Sequence, residues 1–280
     1  MATSEAAAAT PARAPRPRRS SPAAPLLAYV LHRWDWSETS LIVELFTREQ
    51  GRVVVAAKGA KRPTSQLRPV LLPFQPLHAV LGKAPADEAA EVLNLRGAEW
   101  VGGMPLLPAG AMLAGWYLNE LLMKLLARQD PHPALFDAYA DALAALAVAP
   151  PGDAQAEAAA LRAFELQLLR ETGSLPDLGH ETLTLAPLRA DGRYTLRAES
   201  GLSETCRDGI AGATWLAIEA ALLHGSGAAL RAACGADAVA LRAPLRECLH
   251  YHLGHDQLRT RRVWQGVQRL ATAGSALPAK

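Results

Sequence analysis

From Leu26 to Arg96 the apolar positions fall into short runs with turn residues between them: Leu26–His32, Ser40–Phe46, Arg52–Lys58, Leu71–Leu81 and Glu91–Arg96. In the second run Leu41, Val43 and Leu45 alternate with Ile42, Glu44 and Phe46, which gives one apolar face and one mixed face of a strand. Val53, Val54 and Val55 are β-branched and favour the same state. Glu49-Gln50-Gly51 reads as a tight hairpin link. Five short strands within about 75 residues predict a small closed barrel, the strand count of the OB-fold, although an SH3-like barrel reads similarly.

The period changes after Gly97. Gly102-Gly103-Met104-Pro105 and Pro108 punctuate the chain, and a domain boundary is expected near residue 100. Over 108–127, Met112, Leu113, Trp116, Tyr117, Glu120, Leu121 and Lys124 recur at helical spacing. Asp130-Pro131-His132-Pro133 interrupts that helix. A second is expected over 133–147, with Leu135, Phe136, Tyr139, Leu143 and Leu146 as its apolar stripe. A third is expected from a cap at Asp153 to about Thr172, stopped by Gly173. Residues 181–198 alternate as a hairpin around Asp191-Gly192, and 203–270 return to helix. The expected class is therefore α+β: a barrel domain over 26–100, then a mostly α-helical domain over 101–280 with a small hairpin insertion.

Residues 1–25 change the picture at the N-terminus. They are Ala, Pro, Arg and Ser with few large apolar side chains, so they cannot bury enough surface to offset chain entropy, and a disordered basic tail is expected. The net charge of +2 hides a division. Residues 1–100 hold 13 Lys/Arg and 9 Asp/Glu, residues 101–241 hold 9 and 16, and residues 242–280 hold 7 and 2. Two basic ends flank an acidic middle, which suits a polyanionic partner. Arg48 to Arg68 concentrates six basic residues against one acid, Glu49. A strand lip so charged, with Tyr29, Trp34, Trp36 and Phe74 interleaved, suits phosphates and bases; a solvated basic hairpin and ordinary barrel core explain the same residues.

Other chemistry is poorly supported. The cysteines Cys206, Cys234 and Cys248 are odd in number and form no C-x-x-C pair, which argues for a reducing compartment and against a disulfide framework or four-cysteine zinc site. His250, His252 and His255 lie close together, with Cys248 four residues before His252, yet no metal-ligand motif surrounds them and no metal is expected. There is no G-x-S-x-G, no P-loop, no run of about 20 apolar residues and no convincing signal peptide. No catalytic residue and no cofactor is assigned, and a cytoplasmic, nucleoid-associated location is expected.

Particular blocks carry a resemblance: His32-Arg33-Trp34-Asp35-Trp36-Ser37-Glu38-Thr39-Ser40-Leu41, Leu45-Phe46-Thr47-Arg48-Glu49-Gln50-Gly51-Arg52, Ala57-Lys58-Gly59-Ala60-Lys61-Arg62 and Leu72-Pro73-Phe74-Gln75-Pro76-Leu77. Further blocks are Gly115-Trp116-Tyr117-Leu118-Asn119-Glu120-Leu121-Leu122, Leu161-Arg162-Ala163-Phe164-Glu165-Leu166-Gln167-Leu168-Leu169, and Tyr251-His252-Leu253-Gly254 before Leu258-Arg259-Thr260-Arg261. In this order, from about residue 27 to 270, they resemble the RecO DNA repair protein family.

That resemblance implies an N-terminal OB-fold, a mostly helical C-terminal domain and a non-enzymatic recombination mediator. It implies binding of single- and double-stranded DNA, annealing of complementary strands, action with RecR to load RecA, and docking on the acidic, hydrophobic tail of the single-stranded-DNA-binding protein. The implied DNA surface comprises Arg33, Arg52, Lys58, Lys61, Arg62 and Arg68. The implied tail-docking site comprises Arg162, paired with a tail carboxylate, and Phe164 and Leu168, in the pocket wall or the core beneath. The four-cysteine zinc site of some members would fall near 175–210, where this chain has only Cys206. Two rival readings are an adaptor whose protein contacts dominate, with Arg259–Arg269 serving an acidic partner, and a nuclease using scattered acids and histidines such as Asp35 and His252.

Overall fold

The computed structural model describes residues 24–82, 92–254, 258–260, 262–263 and 266, so residues 1–23 of the tail expected over 1–25 and most of the chain beyond 263 lie outside the described residues. Strands β1 (Leu26–Asp35), β2 (Leu41–Thr47), β3 (Gly51–Ala57), β4 (Pro76–Leu81) and β5 (Val92–Trp100) close a barrel in the order β1-β2-β3-β5-β4. Neighbours are antiparallel except β3 and β5, and β4 returns to β1 to complete the ring. A single turn of helix, α1 (Leu67–Val70), lies between β3 and β4. This is the five-stranded barrel expected of the OB-fold.

The alternation in β2 has a direct structural reading. Val43 and Leu45 point into the barrel, where they join Ala28, Val30, Val53, Val55, Leu71 and Leu77 in one core. Glu44 and Phe46 point outward, yet both are fully buried. The mixed face is covered because the helical half packs on it.

The helical half begins with a short 3-10 turn (Ala109–Ala111) and α2 (Met112–Leu125), followed by α3 (Pro133–Val148) and α4 (Ala154–Glu171). Pro133 opens α3 at a position where its missing N–H costs nothing. Asp153 caps α4, its Oδ1 accepting from the Ala156 amide at 2.9 Å. The segment expected as a hairpin around Asp191-Gly192 differs from that reading. Strands β6 (Arg193–Arg197), β7 (Gly201–Glu204) and β8 (Ile210–Ala211) form a sheet in the order β7-β6-β8, and the chain turns between Arg197 and Gly201. Gly201 supplies the positive φ for that turn (+71°), whereas the Gly192 carbonyl accepts from the Gly212 amide and ties the edge of the sheet to the start of α5 (Gly212–His224). Helices α6 (Gly227–Gly235) and α7 (Arg242–Leu253) complete the described fold.

The second and larger core crosses between the halves. Tyr29, Leu31 and Phe46 of the barrel pack with Phe136 and Tyr139 of α3 and with Leu118, Leu121 and Leu122 of α2. The Tyr29 ring lies 5.1 Å from Tyr139 and 5.4 Å from Phe136, close enough for edge-on contacts. Asn119 on α2 donates from Nδ2 to the Leu31 carbonyl at 2.9 Å, and its Oδ1 accepts from the Tyr139 hydroxyl at 2.5 Å. The buried side chain of Asn119 is thereby satisfied at both ends while joining β1 to two helices.

Candidate nucleic-acid interface

Two loops meet at one end of the barrel: the β1–β2 tip around Trp36–Ser40 and the loop from Lys58 to Gln66. The Lys61 amide donates to the Thr39 carbonyl at 3.0 Å, and Lys61 Nζ donates to the Ser37 carbonyl at 3.0 Å. Lys61 Nζ also lies 3.2 Å from Asp35. Ala60 is buried beneath, and Gly59 adopts φ +74°, which lets the chain fold back at that point. Lys61 therefore pins the two loops together while keeping part of its side chain exposed.

On the loop with this pin Lys58 and Arg62 are exposed, and Arg68 is exposed on α1 just after it. Arg33 is exposed as well, with Nη1 donating to the Leu71 carbonyl at 2.9 Å. Trp36 is 59% exposed at the tip and Trp34 is 38% exposed on the strand leading to it. The Trp34 ring sits edge-on to the His32 ring at 4.5 Å. Burial is the main cause holding the His32 imidazole below its ordinary range; Glu44 opposes it, and Arg259 and Arg33 reinforce it. His32 thus tends to remain neutral and adds shape rather than charge. The resulting lip offers exposed cations and exposed indoles on adjoining loops, a surface able to screen backbone charge and stack unpaired bases.

The basic run is not uniform. Arg52, expected on the DNA surface, is 7% exposed and faces the helical half. Its Nε and Nη2 donate to Glu44 Oε1 at 3.0 and 2.5 Å, while Nη1 donates to the carbonyls of Met123 at 2.7 Å and Leu126 at 2.6 Å. It caps the end of α2 and neutralises a buried carboxylate, so it leaves the candidate DNA set. Arg48 pairs with Asp137 through two hydrogen bonds of 3.0 Å. Of the six cations in the run, Lys58, Arg62 and Arg68 are the exposed ones without a side-chain ion pair among the described residues.

Arg162 also lies elsewhere than expected. It is 6% exposed, and its Nη2 donates to Glu165 Oε1 at 2.7 Å, the oxygen that also accepts from the Tyr117 hydroxyl at 2.7 Å. Burial pushes the Glu165 carboxyl up against the opposing pull of Arg162 and Tyr117. A partner's carboxylate would have to displace an ion pair beneath the surface to reach this guanidinium, so Arg162 is reassigned to the core. Leu168 is fully buried in the same core. Phe164 is buried too, but it lines a cavity of about 160 Å³ between α3, α4 and the α5–α6 turn. Asp141, Gln167 and Arg231 line the same cavity, with Arg231 3.8 Å from Asp141. Neither this cavity nor Arg231 had a sequence signal, because its walls come from separate helices with unremarkable local patterns.

Among the described residues no group of three or more His, Cys, Asp or Glu is placed to hold a metal ion, and no helix is long and apolar enough to cross a membrane. His250 and His252 lie on α7, and His255 lies outside the described residues. Burial raises the Cys234 thiol to about 12 and the Cys248 thiol to about 11, while Cys206 is exposed. Because the thiolate is the reactive form, iodoacetamide on the native protein is expected to modify Cys206 alone, with the other two reacting after unfolding. Intact mass and peptide mapping check this; a second adduct on the folded chain would show that the helical core opens readily.

Comparison with known proteins agrees with this architecture. Residues 26–102 match the family model described as "Recombination protein O N terminal", and residues 109–262 match "Recombination protein O C terminal". The chain is similar to the DNA repair protein RecO of Polaromonas naphthalenivorans (strain CJ2), with 50% identity over 250 residues covering 87% of this chain and 96% of that one. It is similar to the RecO of Variovorax paradoxus (strain S110), with 51% identity over 251 residues and the same coverage. The match runs through the barrel and the helical half alike, and on that ground the chain belongs to the RecO family of DNA repair proteins.

Proposed function

We propose that this chain is a DNA-binding recombination mediator acting in DNA repair. Single and double strands bind the barrel lip, and complementary strands held on one basic surface anneal because their mutual repulsion is screened. With RecR it assists loading of RecA onto DNA coated by the single-stranded-DNA-binding protein, whose tail docks on the helical half. The role is that of a scaffold without a catalytic group or cofactor, in the cytoplasm at the nucleoid. The observation that carries the reading is the pair of exposed cations Lys58 and Arg62 on the loop that Lys61 ties to the tip carrying the exposed Trp36, with Arg68 exposed on α1 just after that loop. Arg33 contributes at the edge of the same surface.

Fluorescence anisotropy with a labelled single strand across a salt series tests this. Affinity is expected to fall steeply with salt as counterions are released. Lys58→Glu combined with Arg62→Glu is expected to lower the log–log salt slope by about 1.5 to 2 and affinity by about tenfold or more. Unchanged binding in that variant, with the fold intact, would remove the lip from the DNA path. The adaptor reading keeps one supporting observation, the internal ion pairing of Arg48 and Arg52, which thins the free charge. It gains if a tail peptide binds while DNA binds only at very low salt.

A further inference from the structure

The chain returns to the barrel near its described end. Glu120 on α2, mostly buried, accepts from the Arg259 amide at 2.7 Å, from the Thr260 amide at 2.9 Å and from the Thr260 hydroxyl at 2.7 Å. Leu258, beside them in sequence, is 5% exposed in the large core. One carboxylate thus clamps a segment about 140 residues away in sequence, and the neighbouring Asn119 ties the same stretch of α2 to β1. The clamp fixes the Arg259 backbone on the residue next to Asn119, whose side chain holds the Leu31 carbonyl of β1. Arg259 and Arg262 are both exposed, and neither guanidinium has an ion-pair partner recorded among the described residues.

The clamp sets this segment at the junction of α2 with β1, the strand that leads to the lip. β1 runs from Leu31, at the junction with α2, through His32 and Trp34 to the tip that carries Trp36. The four steps from His32 to Trp36 cover roughly 13 Å of extended chain, a distance that a short stretch of single strand covers. Along this path lie the His32–Trp34 ring pair and the half-exposed Trp34 face.

We infer that Arg259 and Arg262 form a second phosphate-binding patch, on the helical side of the junction, which follows a single DNA strand leaving the lip along β1. The inference rests on the DNA-binding reading of the lip and adds a direction and a length to the bound strand. Glu120 is its positioning residue, since it holds the segment that carries the two arginines. An acidic protein segment is the competing occupant, and the continuity with Trp34 and the lip favours nucleic acid, because indole faces between cations suit bases.

The test uses the full chain with oligothymidines of about six and about thirty nucleotides, the first within and the second beyond what one OB-fold holds. Arg259→Glu with Arg262→Glu is expected to weaken the long strand by about tenfold and lower its salt slope by about one, and to leave the short strand within about twofold. Glu120→Ala gives a diagnostic sign. Removing an acid near DNA should tighten binding if only charge matters, whereas loss of the clamp should weaken the long strand. Weakening of the long strand alone in both variants supports the inference. Equal affinities of wild type and the arginine variant for both strands overturn it, as does a tighter Glu120→Ala, provided Lys58→Glu with Arg62→Glu still weakens both lengths. If that lip variant changes neither length, the DNA reading itself fails. Loss of polyglutamate binding in the arginine variant, with DNA binding intact, would assign the patch to an acidic protein and also overturn the inference.

Discussion

Arg52→Ala is expected to destabilise the protein by about 3–5 kcal/mol while leaving the affinity of the folded chain for DNA within about twofold. The arginine is buried against Glu44, whose other oxygen Oε2 accepts no hydrogen bond among the described residues and lies 3.5 Å from the partly exposed Arg128. Truncation leaves a carboxylate inside the joint and releases the Met123 and Leu126 carbonyls at the end of α2. Each loss is costly because a buried polar group without a partner keeps its full desolvation penalty. Removing both charges together, as Arg52→Met with Glu44→Leu, is expected to recover most of the loss, since a well-packed apolar pair need not be weaker than an ion pair at a buried site. Urea denaturation measures the stabilities, and anisotropy well below the melting transition measures the binding. A variant of normal stability that has lost DNA would return Arg52 to the DNA surface.

Gly51→Ala is expected to cost about 3 kcal/mol or more, from strain and collision together. Gly51 has φ +65°, and a Cβ built there would lie 1.9 Å from the Asp130 carbonyl oxygen. Both sides of the collision are backbone, so no side chain can swing away. Relief requires moving the β2–β3 turn off the α2–α3 connection, and with it the hydrogen bond from the Gln129 amide to the Arg52 carbonyl at 2.8 Å. The strain of a left-handed alanine contributes about 1–2 kcal/mol of this. A midpoint shift equivalent to under 1 kcal/mol would mean that the connection yields easily and that the joint is softer than its contacts suggest.

The two predictions concern the same place, and that place marks where the sequence stopped being legible. The barrel strands could be read because Val43, Leu45, Val53 and Val55 alternate or cluster as a half-buried sheet requires. The helices could be read from their spacing and from Pro133, Asp153 and Gly173. The outward residues Glu44 and Arg52 could not, because alternation says which face a residue occupies and not what covers that face. A basic residue on a barrel strand looks like a phosphate contact until its partner carboxylate, eight positions away in sequence, is found beside it. Arg162 misleads for a similar reason, since its partner Glu165 sits one helical turn on and both are under the surface. The exposed loop cations Lys58 and Arg62 were legible as surface groups because the glycine and proline beside them oppose burial in a strand, and Arg68, on the short helix α1, is exposed as well. The hairpin near Asp191 failed because the turn at Arg189–Gly192 leads into β6, whose strand partners are the later β7 and β8 rather than the segment before the turn.

The crossing of the larger core between barrel and helices has a consequence for building with this protein. A barrel cut out as a portable module would carry Tyr29 and Phe46 bare, and Arg52 without the Met123 and Leu126 carbonyls that complete its bonding. The two halves are therefore not interchangeable parts. A chimera that joins this barrel to a relative's helical half inherits a matching problem at Asn119, Tyr139 and the last turn of α2, and grafts should be cut elsewhere, through the exposed tips that carry Trp36 and Lys58.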